Sequence, residues 1–103
     1  MAGDQTTLQD LARQAHELRE RLVLVQAELA EMEVTGNAGG GLVTVAMRGD
    51  GEVTRVVFDQ AALDQGDAES LAALTLTAIR RATDELKSLA ADKMAALTAG
   101  MEA

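Results

Sequence analysis

Leu8, Leu11, Ala15, Leu18, Leu22, Val25, Leu29 and Met32 alternate spacings of three and four without a break. Such an a/d seam, held for nearly four heptads, predicts a helix over about residues 6–32. Asp4 or Thr6 is placed to cap its start by accepting a hydrogen bond from a free backbone N–H of the first turn. The flanking positions Gln9, Asp10, Arg13, Gln14, Glu17, Glu20 and Arg21 are polar. The helix therefore buries one narrow stripe against another helix, with Leu8, Leu11, Leu18, Leu22, Val25 and Leu29 as the packing residues. Val23 and Leu24 broaden the apolar surface near its middle.

Beyond Met32 the period changes. Glu33-Val34-Thr35 favours extended backbone, residues 36–41 hold four glycines, and Leu42 to Arg48 alternates as a strand. Gly49-Asp50-Gly51 then turns the chain into a return strand from Glu52 to Phe58. The reading is a three-stranded antiparallel sheet over about 33–36, 42–48 and 52–58. Alternation sets Val43, Val45 and Met47 on one face and Leu42, Thr44 and Ala46 on the other, with Val53 and Val57 opposing Val56 and Phe58. A sheet apolar on both faces needs helices or a second subunit to cover it. Residues 59–66 form a polar connector, a turn or a short helical piece. From Asp67, a good N-cap, Leu71, Leu74, Ala78, Ala82, Leu86, Leu89 and Leu97 recur at helical intervals, predicting a helix over about 67–98 ended by Gly100. The fold class is α+β, in one domain spanning residues 1–103.

Of 103 residues, 48% are hydrophobic but Phe58 is the only aromatic. A core built from Leu, Val, Ala and Met in so short a chain points to an oligomer. The absence of cysteine excludes disulfides and thiolate chemistry and fits a cytoplasmic home. No membrane span or secretory signal is expected. Nine basic against 17 acidic residues give a net charge of −8, which repels nucleic acid at long range.

Residues able to carry catalysis are few. His16 is the only histidine, lies outside the seam, and reads as a solvated surface residue; Ser70 and Ser88 are far from it in sequence. Glu28 with Glu31 and Asp84 with Glu85 are ordinary helix carboxylates, so neither a metal nor a cofactor is expected. Gly39-Gly40-Gly41 precedes a strand and lacks the lysine of a phosphate-binding loop, which leaves it a turn. The remaining chemistry is cationic: Arg13, Arg19 and Arg21 on the first helix, Arg80, Arg81, Lys87 and Lys93 on the last. Arg13 with Glu17, Glu17 with Arg21, Arg80 with Asp84 and Arg81 with Glu85 stand four apart, the spacing of surface ion pairs.

Glu33-Val34-Thr35-Gly36 leading to Gly41-Leu42-Val43-Thr44-Val45, the strand Val53 to Asp59, Ala78-Ile79-Arg80-Arg81-Ala82 and the closing Asp92-Lys93-Met94 together resemble the YbaB/EbfC family of bacterial nucleoid-associated proteins. The resemblance covers nearly the whole chain. It implies a tweezer-like homodimer with projecting helices, non-enzymatic binding of duplex DNA, and a role in nucleoid organisation or gene regulation. It sets the seven cations named above as candidate phosphate contacts. An acidic dimer that holds a protein partner, with no direct DNA contact, is the alternative.

Overall fold

The computed structural model describes the backbone of residues 2–102 and the side chains of residues 7–99. Its elements run α1 (Ala2–Glu31), β1 (Glu33–Ala38), β2 (Val43–Arg48), β3 (Val53–Phe58), α2 (Gln60–Gln65) and α3 (Ala68–Glu102). The seam thus forms a helix, as its period predicts, beginning four residues earlier than expected. Asp4 and Thr6 lie inside it, and their capping roles fall outside the described side chains. At the other end α3 runs through Gly100 instead of stopping there. One glycine costs a helix only about 1 kcal/mol relative to alanine, too little to break this alanine-rich segment.

The three strands form an antiparallel sheet in the order β1-β2-β3. β1 continues through Gly36 and Asn37 to Ala38, two residues beyond the sequence expectation, because tertiary contact overrides the weak strand preference of glycine. Ala78 and Ala82 of α3 lie fully buried against Val34, Ala38, Val43, Val45 and Met47. Their small side chains let the helix approach so closely that a Cβ at Gly36 would overlap the Ala78 carbonyl and the Ala82 amide. Gly49 plays the same part at the end of α1. Its N–H donates to the Met32 carbonyl at 2.9 Å, and a Cβ there would overlap the Leu29 carbonyl.

A helix about 10 Å across covers roughly two strands spaced about 4.8 Å apart. α3 lies over β1 and β2, and every residue of β3 stays exposed. The sheet is not apolar on both faces, as alternation had suggested. Its face away from α3 carries Glu33, Thr35, Asn37, Thr44, Arg48 and Arg55, with Arg55 paired to Glu33 at 3.4 Å and Arg48 to Glu52 at 3.6 Å. Ala46 opposes Arg55 while Met47 opposes Val53, so Thr54 is an extra residue in β3. This bulge turns Val53 to the same face as Val56 and Phe58, leaving Val57 alone on the other.

The C-terminal half of α1 lies beside the C-terminal half of α3, where Lys93 meets Glu28 at 3.2 Å. Leu18, Leu22, Val25 and Leu29 are half-buried there, whereas Leu8 and Leu11 stay 68% and 56% exposed. The molecule is a rod of 77 × 18 × 17 Å with a radius of gyration of 20.9 Å, against about 13 Å for a compact globule of this length.

α2 is capped by Asp59, whose carboxylate accepts from the Ala61 N–H, and α3 by Asp67, which accepts from the Ser70 N–H at 2.7 Å. The Ser70 backbone and hydroxyl hold the Asp67 carboxyl below the usual aspartate range. A carboxyl lowered on folding adds stability that is complete above its unfolded value and is lost as pH falls through the folded one. Asp67→Asn is therefore expected to lower the melting temperature at pH 7 and to leave it unchanged relative to the parent at pH 2, as thermal melts at the two pH values would show.

Candidate nucleic-acid interface

The helices present the seven cations in different states. Arg13 reaches back to Asp10 at 2.7 Å, where its spacing pointed forward to Glu17. Arg81 reaches across to the sheet and donates to the Asn37 carbonyl of β1 at 2.8 Å. Lys93 is held by Glu28, its side chain only 25% exposed. Arg21 is exposed on α1. Arg19, Arg80 and Lys87 are exposed and have no ion-pair partner among the described residues. Pairing at four-residue spacing costs side-chain freedom for little gain in water, so such pairs need not form.

Arg80 and Lys87 lie two turns apart, roughly 10 Å along α3, on the side opposite the buried Ala78 and Ala82. Thr77, Asp84, Ala91 and Thr98 share this outer face with them, Asp84 standing one turn from each cation. Thr77 and Thr98 donate to the carbonyls of Ala73 and Met94. This stretch of the face therefore carries two cations and one carboxylate on a strongly acidic chain. α1 adds Arg19, which with His16, Glu20, Val23 and Leu24 lines a shallow concavity on one helix. His16 pairs with Glu20 at 2.9 Å, both exposed. No cluster of three or more metal-ligating side chains occurs among the described residues. No helix among them is long and apolar enough to cross a membrane.

The cations thus string along a rod and do not converge on one point, an arrangement that suits an extended polyanion better than a small ligand. Sequence reasoning placed each on its helix but not its pairing, which depends on rotamer choice and on the α1–α3 and α3–β1 contacts. It also missed the exposed apolar flank of β3, for which the unbroken run Val56-Val57-Phe58 was the available signal.

Together the fold and surface define a small α+β binding scaffold with cations on long helices. Residues 4–101 match the model of the YbaB/EbfC DNA-binding family, and the chain belongs to that family. It is 38% identical over 99 residues to a nucleoid-associated protein of Saccharopolyspora erythraea, covering 96% of this chain and 85% of the relative. A nucleoid-associated protein of Rhodococcus opacus is 40% identical over 98 residues, covering 95% of this chain and 87% of the relative. One from a Mycobacterium species is 41% identical over 99 residues, with 96% and 90% covered. Among solved structures, an uncharacterized protein from Helicobacter pylori superimposes with a TM-score of 0.61 at 18% identity, over 76% of this chain and 90% of that one; the likeness is one of fold.

Proposed function

We propose that this chain is a nucleoid-associated protein that binds duplex DNA as a homodimer, without catalysing a reaction, in the cytoplasm at the nucleoid. The carrying observation is the trio Arg19, Arg80 and Lys87, exposed and without an ion-pair partner among the described residues, on the long helices of a member of a DNA-binding family. Arg13, Arg21, Arg81 and Lys93 are supporting contacts, recruited where phosphate displaces a weaker partner. Cations spaced along a rod contact backbone phosphates and read little sequence, which suits a role in nucleoid organisation or gene regulation.

The dimer is supported by surface arithmetic. The chain exposes 7177 Å², whereas a compact monomer of its 10.8 kDa exposes about 5,500 Å². Much of the difference lies in helix and strand surface that a second copy would cover.

Fluorescence anisotropy with a mixed-sequence duplex in low and moderate salt tests the proposal. Binding in low salt that fades steeply as salt rises is the expected result. A second reading, an acidic dimer that holds a protein partner, is favoured by the −8 charge and by Val23 and Leu24, 64% and 62% exposed. It prevails if duplex binding is absent in low salt and a stoichiometric protein partner copurifies.

A further inference from the structure

We infer that the N-terminal part of α1 is a second self-association surface: its seam from Leu8 to Leu18 packs antiparallel on the same stretch of another copy and so joins one dimer to the next. The inference goes beyond DNA binding and is independent of the surface that forms the homodimer.

Length places this stretch outside the body of the molecule. α1 meets the sheet where α3 leaves it, since Gly49 packs on Leu29 and Glu28 reaches Lys93, well past the Ala78 and Ala82 core face. The two helices therefore run antiparallel. The 35 residues of α3, at about 1.5 Å each, account for about 52 Å of the 77 Å rod. The other 25 Å or so is about 16 residues of α1 running on past the end of α3. Exposure changes where this arithmetic puts the boundary: Leu18, Leu22, Val25 and Leu29 are half-buried, whereas Leu8, Leu11 and Ala15 are exposed. The apolar seam itself is unbroken across that boundary. The projecting part of α1 thus carries a packing stripe that α3 does not reach.

A lone helix of this length is only marginally stable in water and draws its stability from an apolar face packed on another element. The stripe fits a copy of itself. In an antiparallel overlap centred on residue 13, Leu8 faces the partner's Leu18 and Leu11 faces the partner's Ala15, and the two-fold axis repeats both layers. Leu11 then fills the space left by the small Ala15, whereas a parallel pairing in register would stack Ala15 on its own copy and leave a gap. The positions flanking the seam nearest the axis are Ala12 and Gln14, both uncharged, so the two copies approach without a like-charge contact. Asp10 and Arg13 lie off the seam and pair with each other. The overlap sets the two bodies at opposite ends, so it joins copies from different dimers. Eleven residues span only about 16 Å, and a contact this small is weak and rises with concentration.

Sedimentation velocity of the full chain in moderate salt, from micromolar to several hundred micromolar, is expected to show the mass rising from two chains toward four. Leu11→Glu is expected to raise the dissociation constant of this step by at least about 100-fold, because each contact loses two buried leucines. Its helical circular dichroism should be unchanged, since Leu11 is 56% exposed. The chain has no cysteine, so single-cysteine variants give a clean second readout. Ala12→Cys, close to its own copy at the axis, is expected to be joined by a short thiol cross-linker into a species that sediments as four or more chains even when dilute. Gln9→Cys, off the seam, is expected to stay unlinked.

A wild-type mass that is constant over the whole range, with Ala12→Cys unlinked, overturns the tip contact and leaves the homodimer standing. A linked Ala12→Cys product that sediments as two chains also overturns it, by placing the contact inside one dimer. If dilute wild type sediments as a single chain, the homodimer falls, while a concentration-dependent doubling that Leu11→Glu abolishes still upholds the tip contact.

Discussion

Replacing Arg80 and Lys87 together with alanine is expected to weaken duplex binding about 100-fold in low salt, since four phosphate contacts per dimer at somewhat under 1 kcal/mol each sum to about 3 kcal/mol. The same change is expected to lower the slope of log affinity against log salt by about 3 to 4, since each contact releases close to one counterion. Folding should survive the change. Both side chains point away from the Ala78–Ala82 core face, and alanine is the best helix former. Arg13→Ala is the comparison, because Asp10 already holds that guanidinium at 2.7 Å and its removal also frees a carboxylate near the site. An anisotropy series across salt reads both numbers. Equal affinity of wild type and the double variant would remove the outer face of α3 from the contact surface.

The second large effect concerns folding. Gly36→Val is expected to destabilise the protein by more than about 3 kcal/mol, lowering the melting temperature by more than roughly 10 °C. A side chain at this position meets the backbone of α3 at Ala78 and Ala82 and not the end of a flexible side chain. Relief would require lifting α3 off β1 and β2, which exposes Val43 and Val45, the largest fully buried side chains. Gly40→Ala, at a position with open space but a positive φ of 70°, is the control. It is expected to cost only about 1 kcal/mol. Thermal melts followed by circular dichroism separate the two, and equal melting temperatures would show that α3 does not press on β1 as described.

The seam from Leu8 to Met32 made α1 legible because a three-four alternation has one physical meaning. The Ala-rich periodicity after Asp67 did the same for α3, and the Asp67 cap marked its start. What escaped the sequence depends on contacts between elements. β1 runs past Gly36 because α3 closes on it. The bulge at Thr54 swaps the face of Val53 without leaving any mark in an otherwise regular alternation.

The candidate site divides in the same way. Each cation could be assigned to its helix from periodicity alone, but Arg81 turning to Asn37 and Lys93 to Glu28 are contacts between residues 44 and 65 apart in sequence. Only the folded chain leaves Arg19, Arg80 and Lys87 exposed and without an ion-pair partner among the described residues. Likewise, the width of one helix against three strands decides that β3 is left bare.

Sedimentation velocity of the protein mixed with a short duplex in low salt bears most directly on the account. It predicts a complex whose mass corresponds to two chains per occupied site and which separates into free duplex and free dimer as salt rises. A duplex that sediments alone at every salt concentration, or a complex carrying one chain per site, would contradict it.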